Sequence, residues 1–204
     1  MRAAFDAAVA PGLGDSVAIR LRRFLEQYPR HPLARSAQLE LGELAYARGE
    51  YFEARDHFRR ARPVGVSSGS EEARYWEGQA SFSLGRLREA RETLIPIARA
   101  RRAVPRQWDA AYLVALTWAQ EGRRAEALSA YRALFELPAT GGEASALYQA
   151  HRLARELGRT EDATEWRARL LGRYPRSPEA ASLKGEEARA ASDSTAAGGR
   201  GRGR

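Results

Sequence analysis

The chain has 204 residues, of which 44% are hydrophobic and 29% charged, so it can form one domain or two small ones and is apolar enough to bury a core. It has no cysteine, which excludes a disulfide framework, a thiolate zinc site, an iron–sulfur cluster and a cysteine nucleophile. Thirty-four basic against 26 acidic residues give a formal charge of +8. Clustered, that charge would favour anionic partners, but every basic residue except Lys184 is a scattered arginine until the GGRGRGR end.

Met1 to Ala10 holds a short apolar run broken by Arg2 and Asp6, too interrupted for a signal peptide. No later stretch approaches the ~20 apolar residues of a membrane span. A fixed period then organises the chain. Gly49, Gly85, Gly122 and Gly158 recur at intervals of 36, 37 and 36, and five residues after each comes Ala54, Ala90, Ala127 or Ala163. Upstream, Ala37, Ala73, Ala110 and Ala146 keep the same spacing, and Phe58, Leu94 and Tyr131 follow the first three downstream alanines by four residues. Tyr28-Pro29-Arg30-His31-Pro32 is echoed 146 residues later, four periods of 36.5, by Tyr174-Pro175-Arg176-Ser177-Pro178.

Within a period, apolar and small residues fall at helical spacing in two blocks, as in Ala37, Leu41, Leu44, Ala45 and then Phe52, Phe58, Ala61. Each period therefore predicts a helical hairpin, with helix A ended by the glycine, helix B crossing it closely at the alanine, and proline stopping helix B. In chain order the expectation is a truncated first repeat over 1–32, with Gly12 at its turn and Val17 at the small helix B position. Four repeats over 33–178, a capping helix over 179–191 and a disordered Gly/Arg tail over 192–204 complete it. No strand pattern occurs. A chain that starts inside a repeat helix looks like a fragment of a longer protein.

These residues resemble the tetratricopeptide repeat family, whose motif has Gly or Ala at position 8, Ala at 20, a large residue at 24, Ala at 27 and Pro at 32. The copy from Arg35 gives Gly42, Ala54, Phe58 and Ala61; that from Glu71 gives Gly78, Ala90, Leu94 and Ile97. The copy from Trp108 gives Ala115, Ala127, Tyr131 and Leu134; that from Ala144 gives His151, Ala163, Arg167, Leu170 and Pro175, departing at 8 and 24. The resemblance implies an all-α, right-handed superhelical solenoid of antiparallel hairpins, about eleven helices in all. The long period, Ala73-Arg74-Tyr75-Trp76-Glu77-Gly78 and the Tyr-Pro endings are similar to bacterial envelope members of the outer-membrane assembly lipoprotein and Tol-Pal-associated cell-division coordinator type. The helical shell of lytic transglycosylases uses similar hairpins, but no catalytic domain of that kind is present.

No catalytic constellation emerges. His31, His57 and His151 fall in a loop, on a helix B and on a helix A, without a carboxylate at metal-ligand or triad spacing. No glycine-rich segment follows a strand, so neither phosphate loop nor dinucleotide fingerprint is present, and no cofactor is expected. What remains is recognition. The resemblance places positions 2, 5, 9, 12 and 13 of helix A toward a concave groove, whose candidate residues are Leu39, Glu43, Tyr46, Tyr75, Gln79, Phe82, Tyr112, Leu116, Tyr148, Arg152 and Arg155. Tyrosine gives a broad apolar face and one hydroxyl at little entropic cost, which suits peptide binding. The alternative for Tyr75, Tyr112 and Tyr148 is that they pack each helix A against the next repeat. The Lys/Asn carboxylate clamp of eukaryotic co-chaperones is disfavoured by the single lysine, which lies outside the array, and the absence of asparagine.

The expected function is therefore a non-enzymatic scaffold for a protein or peptide partner, with no small-molecule substrate and no membrane span in this chain. It is periplasmic or envelope-associated if an upstream signal is missing and cytoplasmic otherwise. A nucleic-acid or anionic-surface binder acting through the arginine-rich end is the alternative, disfavoured because three arginines neutralise only about three phosphates. The helical part of a larger envelope enzyme is the third reading.

Overall fold

The computed structural model describes residues 13–62, 70–101, 103–138 and 141–200. They form ten helices and no strand, divided between two compact units, Met1–Leu137 and Pro138–Arg204. The first contains α1 (Leu13–Gln27), α2 (Ala34–Ala47), α3 (Tyr51–Ala61), α4 (Ser70–Ser83), α5 (Leu87–Ala98), α6 (Gln107–Gln120) and α7 (Arg124–Phe135). The second contains α8 (Glu143–Glu156), α9 (Thr160–Arg173) and α10 (Pro178–Arg200).

The glycine series sits where the sequence puts it, at the end of each helix A, with φ of 78° at Gly49, 70° at Gly85, 73° at Gly122 and 67° at Gly158. In each turn the glycine N–H bonds three residues back and the next N–H five back. At Gly49 these bonds are Gly49 N–H to Tyr46 O, 3.0 Å, and Glu50 N–H to Ala45 O, 2.9 Å. This left-handed stop satisfies carbonyls that the ending helix would otherwise orphan, and only glycine adopts it without strain. The chain then reverses into helix B within about two residues, which makes the hairpin.

Packing follows the alanines. Ala54, Ala90 and Ala127 on helices B are fully buried, as are Ala110 and Ala146 on helices A, because the two axes cross there. In the first unit each helix packs against the next in sequence, and α4 also touches α6, so successive helices A lie side by side. Phe58, Leu94, Ile97, Tyr131 and Leu134 fill the spaces between. In the second unit α9 and α10 both pack on α8.

Two expectations need adjusting. In α1 the buried small residue is Ala18, 2% exposed and clustered with Leu41 and Leu44, whereas Val17 only borders that cluster; the register expected at Val17 is one residue early. The last helix extends to Arg200, beyond the boundary at 191, since Ala190, Ala191, Ala196 and Ala197 are strong helix formers. Gly12 and the arginines within 201–204 lie outside the described residues.

Candidate partner-binding face

In the first unit the candidate residues stand on three helices A: Leu39, Glu43 and Tyr46 on α2, Tyr75, Gln79 and Phe82 on α4, Tyr112 and Leu116 on α6. Contacts between neighbouring helices order them. The Tyr46 hydroxyl accepts from Gln79 Nε2 at 3.2 Å and lies 3.1 Å from Ser83 Oγ, and the Tyr75 hydroxyl donates to Gln79 Oε1 at 3.0 Å. Gln79 thus joins two tyrosines through both ends of its amide. Burial separates them: Tyr75 is 8% exposed and belongs to the core, while Tyr46, Gln79, Phe82, Tyr112 and Leu116 are half-buried. Tyr75 accordingly fits the packing alternative, and desolvation, reinforced by the Asp109 carboxylate, pushes its hydroxyl up to about 12. Tyr112 leans on Trp108, 5.5 Å between ring centroids, and is half-buried. Glu43 is half-buried, and burial, aided by the Glu72 and Glu40 carboxylates, raises its ionisation above the usual carboxylate range.

Several participants were not among the candidates. Trp76 stacks at 6.1 Å on Phe58 and meets Tyr46 edge-on at 5.5 Å, while its Nε1 donates to Glu72 Oε1 at 3.0 Å. Arg106 starts α6 in a left-handed conformation, φ 62°, the one positive-φ residue other than glycine among the described residues. Its guanidinium lies 5.2 Å from the centre of the Tyr75 ring and 5.6 Å from that of Trp76, and pairs with Glu72 at 3.4 Å and Asp109 at 3.5 Å. Backbone strain of this kind persists only where surrounding contacts over-determine it. The Tyr-Trp-x-Gly string signals Trp76; nothing in the sequence signals Arg106.

In the second unit the Tyr148 hydroxyl donates to Glu186 of α10, and that bond raises its ionisation above the ordinary value. Arg152 stands 5.9 Å over the Tyr148 ring. Arg155, expected beside them, instead lines a cleft among α8, α9 and α10. The histidines are held structurally: His57 Nδ1–H donates to Gln38 Oε1 at 2.6 Å and burial lowers its pKa, while His151 Nδ1–H donates to Ala163 O at 2.8 Å. No group of three or more His, Asp or Glu among the described residues could hold a metal, and no helix there is long and apolar enough to cross a membrane.

Half-exposed aromatics on side-by-side first helices of repeated hairpins define a repeat protein of the tetratricopeptide fold, and solved structures agree. PilF of Pseudomonas aeruginosa is similar at 20% identity and a TM-score of 0.63, over 86% of this chain and 74% of that one. YrrB, described as a TPR protein with an unusual peptide-binding site, matches at 22% identity and a TM-score of 0.63 over 83% and 84%. A putative kinesin light chain of Podospora anserina with nearly identical TPR-like repeats matches at 16% and 0.61 over 86% and 96%. No family model matches, and neither does any curated protein.

Proposed function

We propose that this chain is a tetratricopeptide repeat protein that catalyses nothing itself and holds a peptide segment or protein partner against its helices A. The observation that carries this reading is the half-exposed set Tyr46, Phe82, Tyr112 and Leu116, large apolar groups kept partly open beside the Gln79 amide and the Ser83 hydroxyl. Such surfaces, broad and apolar with a few fixed polar atoms, bind chains through a small number of anchors. The peptide-binding site of YrrB, on a similar fold, supports it. The same reading assigns the protein to the bacterial envelope, on the Tyr75-Trp76-x-Gly78 and Tyr174-Pro175-x-Ser177 strings, and genes of envelope assembly or division beside its own would support that compartment.

A photoreactive phenylalanine at position 116 tests the binding face against the same group at Ser129, an exposed position on helix α7. The expected result is a discrete partner captured from 116 only. Equal capture from both positions contradicts the proposal.

A further inference from the structure

We propose that the cleft bounded by α8, α9 and α10 binds a small oxyanion, a carboxylate or phosphate that also carries a hydroxyl group. The proposal goes beyond partner binding by the first unit and implies no turnover. It starts from positions 8 and 24 of the motif. In the first two repeats these close the helix A–B interface: a Cβ at Gly42 would meet Phe58 at 2.5 Å, and one at Gly78 would meet Leu94 at 2.5 Å. In the fourth repeat the same positions carry His151 and Arg167. Arg167 is drawn to α10, where its Nε donates to Glu187 Oε1 at 2.5 Å and its Nη2 to Oε2 at 2.8 Å. A cleft of about 510 Å3 remains, lined by His151, Arg155, Thr160, Thr164, Arg167 and Glu187 among others.

The wall has a defined donor and acceptor set. Glu187 is held by two hydrogen bonds from Arg167 and feels the Arg155 charge only at longer range, since the Arg155 side chain makes no ion pair or hydrogen bond of its own among the described residues; two guanidinium groups thus face one carboxylate. His151 is 3% exposed, and because its Nδ1 faces a carbonyl oxygen, Nδ1 carries the proton and Nε2 of the neutral ring is an acceptor. That Nε2 has no partner among the described residues, an uncommon condition for a buried polar atom. A guanidinium fork matches an oxyanion, and an acceptor on the wall of the same cleft matches a hydroxyl. The volume lies in the range of small-molecule sites, about 300–1,000 Å3.

The experiment is an NMR titration of the full chain, following the imidazole Cε1–H signals of His31, His57 and His151. Malate, succinate, inorganic phosphate and sodium chloride are added at matched ionic strength. The expected result is a saturating shift confined to His151 with malate or phosphate, and affinity at least roughly tenfold weaker in Arg155→Gln, an exposed position whose change leaves the fold intact. Saturation by malate alone assigns an organic acid, and by phosphate alone a phosphate. Thr164→Leu, which fills the cleft from an exposed helical position, should also abolish the shift. Shifts that rise linearly and match chloride, equal response to succinate and malate, or unchanged affinity in Arg155→Gln would overturn the proposal. Capture at position 116 is read from the other unit, so the two proposals fail independently.

Discussion

Gly42 on α2 and Phe58 on α3 compete for one volume: a Cβ added at position 42 would stand 2.5 Å from Phe58 Cε1, nearer than carbon atoms approach. Phe58 is fully buried and has nowhere to move. Gly42→Ala should therefore overpack the hairpin by about 2–3 kcal/mol, more than the ~1 kcal/mol of helix propensity that alanine gains over glycine. Gly172 on α9 has no atom within 4 Å of the same construction. Gly172→Ala should stabilise by about 0.5–1 kcal/mol. Urea midpoints should move in opposite directions for the two variants; movement in the same direction would contradict the close crossing at position 42.

Tyr131 fills in the third repeat the place of Phe58 in the first, yet its hydroxyl is buried without a partner among the described residues. Removing an unsatisfied buried hydroxyl relieves its desolvation, so Tyr131→Phe should stabilise the chain by about 1 kcal/mol at neutral pH. Burial raises the ionisation of Tyr131 above the ordinary tyrosine value, as it does that of Tyr75. A folded-state pKa above the unfolded one gives stability that is complete below about pH 10 and is lost as pH rises toward about 12. Urea unfolding at about pH 8 and about pH 11 should show this loss, and Tyr131→Phe should lose less than the parent.

The hairpin architecture was legible because it rests on local chemistry repeated four times. The positive φ of Gly49, Gly85, Gly122 and Gly158 and the burial of Ala54, Ala90 and Ala127 are conditions that few residue types meet. The candidate face was legible only as a set of positions. Whether Tyr75 is core or surface depends on how α6 lies against α4, which a motif position does not specify. Arg167 shows the same limit: the sequence reveals its departure from an apolar pattern, but the carboxylate that claims it is Glu187, twenty residues away on the next helix. Trp118, whose ring centre lies 3.5 Å from the Arg91 guanidinium, belongs with these long-range pairings, whereas its contact with Arg123, at 4.3 Å, lies within one turn.

The Tyr-Pro ending has a structural reason in the second unit. Tyr174 donates its hydroxyl to Glu143 at 2.5 Å, and Arg169 and Arg173 direct their guanidinium groups at the same carboxylate, which is 4% exposed at the start of α8. The carboxylate also suits the positive end of that helix. Glu143→Ala removes the buried acceptor shared by the Tyr174 hydroxyl and the partly exposed Arg169 guanidinium and should cost about 1–3 kcal/mol. Glu143→Gln, which keeps an acceptor, should recover part of it. Thermal unfolding of both variants checks the order, and equal melting of Glu143→Ala and parent would remove the cluster from the account.

Tyr112 decides between recognition and packing, because its ring rests on Trp108 while part of it stays open. The direct measurement is the affinity of Tyr112→Ala for the partner captured at position 116, taken together with its thermal midpoint. A binding face predicts affinity weakened by ~2 kcal/mol or more with helical content and midpoint close to those of the parent. A lowered midpoint with unchanged affinity would contradict it and make Tyr112, like Tyr75, part of the core.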